Sequence, residues 1–139
     1  MKKMKKLMMI SVLGLLVGCA ELPALPGMGP KAASTPATPV FFQPFSAALD
    51  QPALSTIASA AQEAQAQPGS RVVVTGAADG VGSPKANKYL SETRAQVVAD
   101  ALVADGVARG RIKLRAAGAV EAPGGAAQAG RRALIQIEG

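Results

Sequence analysis

The 139-residue chain contains no histidine, so no imidazole can serve as general base, complete a nucleophilic triad or ligate a metal. Its one cysteine, Cys19, cannot form an internal disulfide, and the folded part must stand on its own core. Aromatic residues are scarce as well. The three phenylalanines all fall within residues 41–45, which leaves a core otherwise built from Val, Leu, Ile and Ala. The apolar run Leu7 to Val17 is too short to span a bilayer comfortably. Gly76, Gly80 and Gly82 follow a strand-like segment, but their spacing matches neither the dinucleotide fingerprint nor the P-loop. No nucleophile–base pair is in view, so no catalysis, cofactor or metal is expected.

Basic residues outnumber acidic ones by 15 to 9, a net charge of +6. Four of the lysines, Lys2, Lys3, Lys5 and Lys6, precede the apolar run and make the positive start of an export signal. Without them 11 basic residues stand against 9 acidic ones, a net +2, and the main support for a nucleic-acid partner is gone. The run ends in Leu16-Val17-Gly18-Cys19, which resembles a bacterial lipoprotein lipobox. That resemblance implies a signal peptide over residues 1–18, cleavage before Cys19 and a diacylglycerol on its thiol; the alternative is an ordinary signal with an incidental cysteine. Ala20 follows in place of aspartate, which in such lipoproteins implies the outer membrane. Two or three acyl chains anchor stably where one does not.

Residues 19–38 are rich in Pro, Ala and Gly and read as a disordered linker. Its reach is about 25 Å as a coil and about 60 Å extended, enough for a spacer; it reads equally as a leader with no spacing role.

Residues 39–139 read as one domain. Val40-Phe41-Phe42 is a strand, and Pro52 opens a helix to about Ala66 with Leu54, Ile57, Ala58 and Ala61 on one face. Arg71 to Thr75, with three consecutive valines, has the pattern of a central strand. Ser83-Pro84 starts a long helix and Gly106 stops it. Arg111 to Ala116 and Arg132 to Glu138 alternate as strands, with Ile112, Leu114, Ile135 and Ile137 inward. Gly76 to Gly82 reads as a turn, and Val120 to Gly130, rich in Ala and Gly, as loop. Together these elements predict an α+β fold with helices packed on a mixed sheet.

The long helix carries the one anomaly. At roughly 100° per residue, Leu90, Val97, Val98, Ala101 and Leu102 share a face opposite Lys88, Glu92, Gln96 and Asp100. Arg94 falls inside that apolar stripe, with Asn87 two turns earlier on the same line. A guanidinium facing a core needs an anion, and the nearest acid outside the helix is Asp79. The expectation is a half-buried Asp79–Arg94 pair lining a pocket. Such a pair suits a zwitterion, the carboxylate taking an ammonium and the guanidinium a carboxylate, with Asn87 adding a donor and an acceptor. It serves equally as a pin between turn and helix.

Phe42-x-x-x-Ser46-x-x-Leu49, Thr75-Gly76-Ala77-Ala78-Asp79-x-x-Gly82-Ser83, Asn87-x-x-Leu90-Ser91-x-x-Arg94-Ala95 and Gly106-Val107 resemble the OmpA-like, peptidoglycan-associated domain of Pal-type lipoproteins. The resemblance covers about residues 40–138. It implies a two-layer fold with helices on one face of the sheet, and noncovalent binding of the diaminopimelate in peptidoglycan stems. The ligand residues it implies are Asp79, Asn87, Arg94 and, from the motif before the last strand, Arg131. The family pattern has His-Thr where Ala77 and Ala78 stand, Gly-Arg where Ala126 and Ala127 stand, and Asn and Val where Gly130 and Ala133 stand.

Three readings follow. The first is an outer-membrane lipoprotein on the periplasmic face of a Gram-negative envelope, tethering membrane to peptidoglycan. The second keeps the fold as a protein-interaction module for other envelope proteins, without peptidoglycan binding. The third, a wall enzyme, has no catalytic residues to support it.

Overall fold

The computed structural model describes residues 35–139. The expected signal peptide, the lipidated Cys19 and most of the linker lie outside the described residues.

Four strands and two long helices form the domain: β1 (Thr38–Phe41), α1 (Gln51–Ala66), β2 (Arg71–Ala78), α2 (Pro84–Ala104), β3 (Ile112–Ala119) and β4 (Arg132–Glu138). A four-residue helix, α3 (Ala127–Gly130), precedes β4. The sheet order is β1-β4-β2-β3. β2 and β3 are parallel and connected through α2, whereas β4 runs antiparallel to both β1 and β2. This is the mixed sheet and α+β class expected.

Local chemistry sets the helix ends. Asp50 caps α1, its carboxylate accepting from Ala53 N at 2.9 Å, and Ser83 caps α2 by accepting from Ala86 N at 3.1 Å. Gly106, at φ +102°, supplies the left-handed residue that ends α2. Arg111 closes the far end of α1, its guanidinium donating to the carbonyls of Ala64, Gln67 and Ser70 at 2.8, 2.8 and 2.9 Å.

The core lies between helices and sheet, where Ile57, Val98 and Leu102 meet Val72, Val74, Ile135 and Ile137. Each such side chain contributes about 1.5–3 kcal/mol by leaving water. The buried face of α1 runs through Ala53, Ile57, Ala60, Ala61 and Ala64. Leu54, expected inward, is 40% exposed. The alanines let the helix lie close to its neighbours, and a face drawn by hydropathy alone underrates them. Leu114 is 39% exposed because β3 is an edge strand with no further strand to cover it.

β2 runs three residues beyond the expected strand and absorbs Gly76, with a register shift against β3 between Gly76 and Ala78. Gly76 is required by packing. A Cβ there would overlap the carbonyl of Ser91, so glycine lets α2 lie directly on β2. The segment before β4 is not all loop; it holds a 3₁₀ turn at Pro123–Gly125 and α3.

The sheet has two distinct ends. Thr35 N donates to Ile137 O at 3.2 Å, so the chain enters beside the end of β4. Asp79 and Arg131 flank the opposite end, where β2 finishes and β4 begins. Seven residues of β4 separate these ends by about 20 Å. Among the described residues, no helix is long and apolar enough to cross a membrane.

Candidate functional site

α2 presents Asn87, Ser91 and Arg94 on one line, and all three are buried. Ser91 ties the helix to the sheet, its Oγ accepting from Gly118 N at 2.9 Å and donating to Lys88 O at 2.8 Å. Arg94 is core-facing as expected, with no exposed surface.

Its partner differs from expectation. Arg94 Nε donates to Ser46 O at 2.9 Å, Nη1 to Ala77 O at 2.8 Å and Nη2 to Gln43 O at 3.1 Å. The Phe42 ring lies against the guanidinium, 5.1 Å from centroid to Cζ. Three peptide dipoles and an aromatic face thus replace the carboxylate as direct partners. Burial pulls the Arg94 pKa below the ordinary arginine value, the Asp79 charge pushes it up, and Arg131 lowers it. Asp79 therefore assists Arg94 through the field rather than by contact.

The ion pair of Asp79 is with Arg131. Arg131 Nη1 donates to Asp79 Oδ2 at 3.2 Å, the two side chains being 17% and 11% exposed. Oδ1 accepts from Val81 N at 3.2 Å, a local turn that fixes the carboxylate as the chain leaves β2. Arg131 is fixed too: Phe42 N donates to its carbonyl at 2.8 Å, and its Nε donates to Phe42 O at 3.4 Å.

Gly130 makes this approach possible. A Cβ on it would stand 2.8 Å from Asp79 Cα, closer than side chains tolerate. Glycine at this departure from the family pattern thus lets the backbone just before Arg131 lie against Asp79. Ala77 and Ala78 are both buried, so neither presents a side chain to solvent beside Asp79.

A cleft of about 440 Å³ opens next to Asp79, lined by Gly80, Ala119, Glu121, Gly125 and Ala127 among others. Its charged lining residues are Asp79 and Glu121. Of the expected site residues, Asp79 and Arg131 come together, Asp79 being the one that lines this cleft, while Asn87 and Arg94 lie buried in α2. Glu121 was missed because it sits in an Ala/Gly-rich stretch with no motif around it. The carbonyls of Gln43, Ser46 and Ala77 carry no sequence signal at all. Among the described residues no group of His, Cys, Asp or Glu could hold a metal ion.

Comparison with solved structures returns the same architecture. The peptidoglycan-associated lipoprotein from Burkholderia pseudomallei aligns at 23% identity and a TM-score of 0.65, over 72% of this chain and 89% of that one. The OmpA-like domain of FopA1 from Francisella tularensis subsp. tularensis SCHU S4 aligns at 25% identity and 0.65, over 72% and 70%. The C-terminal domain of Helicobacter pylori MotB aligns at 23% identity and 0.65, over 71% and 83%. No curated protein sequence matches the chain. The sequence model of the OmpA family matches residues 41–135, well over half of the length, and the chain belongs to the OmpA family.

Proposed function

We propose that this protein is a lipid-anchored binder of peptidoglycan that holds the diaminopimelate of a stem peptide at the Asp79–Arg131 end of its sheet. The observation that carries this reading is the mostly shielded ion pair whose Asp79 lines the cleft. A free-standing pair on a surface is worth little, and a buried one is closed to ligands; this one lies between.

The exposed edge of Asp79 takes the ammonium of the amino acid, and Arg131 takes its carboxylate through charge-assisted hydrogen bonds. Each pole of the ligand then meets its opposite, and the two protein charges stay compensated. Arg94 acts from behind, pinning the Gln43–Ser46 turn and the end of β2 at once. The buried positions of Ala77 and Ala78 support ligand contact through Asp79 itself. The role is binding, without chemistry on the ligand.

The sequence before the domain supplies the other attachment: a signal peptide over residues 1–18, acylation of Cys19 and a linker over residues 19–38. Such a protein sits on the periplasmic face of the outer membrane. Entry of the chain at the end of the sheet away from Asp79 suits this role, because a tether pulling from there leaves the cleft facing outward. Two attachments at once make modest affinity sufficient. The name of the Burkholderia relative, a peptidoglycan-associated lipoprotein, agrees with this reading.

A second reading rests on the same pair. Because Asp79 and Arg131 already satisfy one another, the domain is also stable as an interaction module for envelope proteins, with no ligand in the cleft. Retention of the purified mature chain on isolated sacculi separates the two. The wall reading expects retention that falls at least tenfold in Asp79→Ala and in Arg131→Ala, a loss of about 1.4 kcal/mol or more. No retention of the parent favours the interaction module, and equal retention of all three proteins counts against the Asp79–Arg131 site.

A further inference from the structure

Phe45 is the only non-glycine residue with a positive φ among the described residues, at 56°, and it is 72% exposed. It occupies the third position of the turn Gln43-Pro44-Phe45-Ser46, which Ser46 N closes onto Gln43 O at 3.2 Å. Proline second and a left-handed residue third is the pattern of a type II turn, whose third position belongs to glycine or asparagine. A bulky aromatic there is strained, and its ring gains little from the fold because most of it is in water.

The strain is held from below. Arg94 donates to the carbonyls at both ends of this turn, Gln43 and Ser46, and stacks on the ring of Phe42 just before it. A buried cation therefore fixes the turn and leaves the Phe45 ring outside. The turn also belongs to the same end of the sheet as the cleft. The guanidinium that holds it reaches Ala77 O, two residues before Asp79, and Phe42 O accepts from Arg131. Backbone strain kept in place at the end of the sheet that carries the cleft points to a use for the side chain.

We infer that Phe45 is a stacking platform for a pyranose ring of the glycan strand whose stem peptide occupies the Asp79–Arg131 cleft. The inference rests on the wall-binding reading and extends it from the peptide to the sugar. A phenyl ring has no polar handle, so it selects a neutral apolar surface, and the C–H face of a hexopyranose supplies one against the ring's negative face. Diaminopimelate lies a few residues along the stem from the sugar. At about 3.5 Å per residue this puts the sugar roughly 10 Å from the cleft, so a platform for it belongs outside the cleft on the same end of the sheet, where this turn lies.

Calorimetry on the mature chain tests this with two soluble ligands, a stem peptide freed of sugar and the same peptide still attached to its disaccharide. Phe45→Gly is expected to bind the free peptide like the parent and the sugar-bearing one roughly tenfold more weakly. Phe45→Tyr is expected to restore the difference. The melting temperature of Phe45→Gly is expected to equal or exceed the parent's, since glycine suits the turn. Phe45→Gly that binds both ligands as tightly as the parent overturns the proposal, as does an equal fold-loss on both, which would make the turn a shaper of the cleft. Loss of an envelope protein in place of the sugar-bearing peptide also overturns it. Failure of the parent to bind either ligand, or an Asp79→Ala variant that binds both normally, ends the wall reading itself and the proposal with it.

Discussion

Arg131 reaches across 52 residues of sequence to place Nη1 3.2 Å from Asp79 Oδ2, joining the turn before β4 to the end of β2. Beneath this pair lies a second cation, Arg94, whose direct partners are carbonyl oxygens. The end of the sheet is thus built in two tiers: a fixed inner guanidinium that organises backbone, and an outer ion pair that meets solvent.

The outer pair is expected to couple modestly. In a double-mutant cycle of Asp79→Ala and Arg131→Ala, followed by urea denaturation, the interaction energy is expected at about 1 kcal/mol. Strict additivity of the two changes would mean the contact does not persist in solution.

The inner tier is expected to cost far more. Arg94→Met leaves the carbonyls of Ser46 and Ala77 without this donor and Gln43 O with Ser46 N alone, and buried acceptors left unpaired cost about 1–3 kcal/mol each. A loss of about 3 kcal/mol or more is expected, with Arg94→Lys between parent and Met because one ammonium cannot span the same fork. A stability within error of the parent would show that the three bonds contribute nothing net.

What was legible in the sequence was what short range and periodicity carry. Ser83-Pro84 and Gly106 marked the ends of α2, three valines marked β2, and the 100° count placed Arg94 inside. The partner of Arg94 was not legible. Its acceptors are backbone atoms up to 51 positions away, and every residue has such a carbonyl, so only the assembled turn selects these three. An acid in the neighbouring turn was the visible candidate. Arg131 entered by family resemblance alone, since nothing local to Gly130-Arg131-Arg132 names Asp79 as its partner. The face of α1 was drawn through Leu54 because hydropathy ranks leucine above alanine, whereas close packing chose Ala53, Ala60 and Ala64. Gly76 reads as a turn residue in the sequence because its reason for being glycine, the Ser91 carbonyl, lies on another element.

That close approach has its own consequence. Gly76→Ala forces α2 away from β2 at Ser91 and is expected to destabilise by about 3 kcal/mol or more, at the upper end for overpacking. Circular dichroism melts read this directly; a shift of only a degree or two would mean that the helix moves at no cost.

At Gly130 the added methyl meets Asp79 rather than a helix. Gly130→Ala is expected to cost about 1–2 kcal/mol and to loosen the Asp79–Arg131 pair, so that the coupling measured above falls toward zero in this background. Undiminished coupling would show that Arg131 finds Asp79 without the close backbone approach.

The most direct test of the central claim is the affinity of the mature chain for a diaminopimelate-bearing stem peptide, measured by calorimetry for the parent, Asp79→Asn and Arg131→Met. Binding by the parent that drops tenfold or more in each variant, with folding intact by circular dichroism, is the expected result. Undiminished binding in both variants, or no binding by a folded parent, contradicts it.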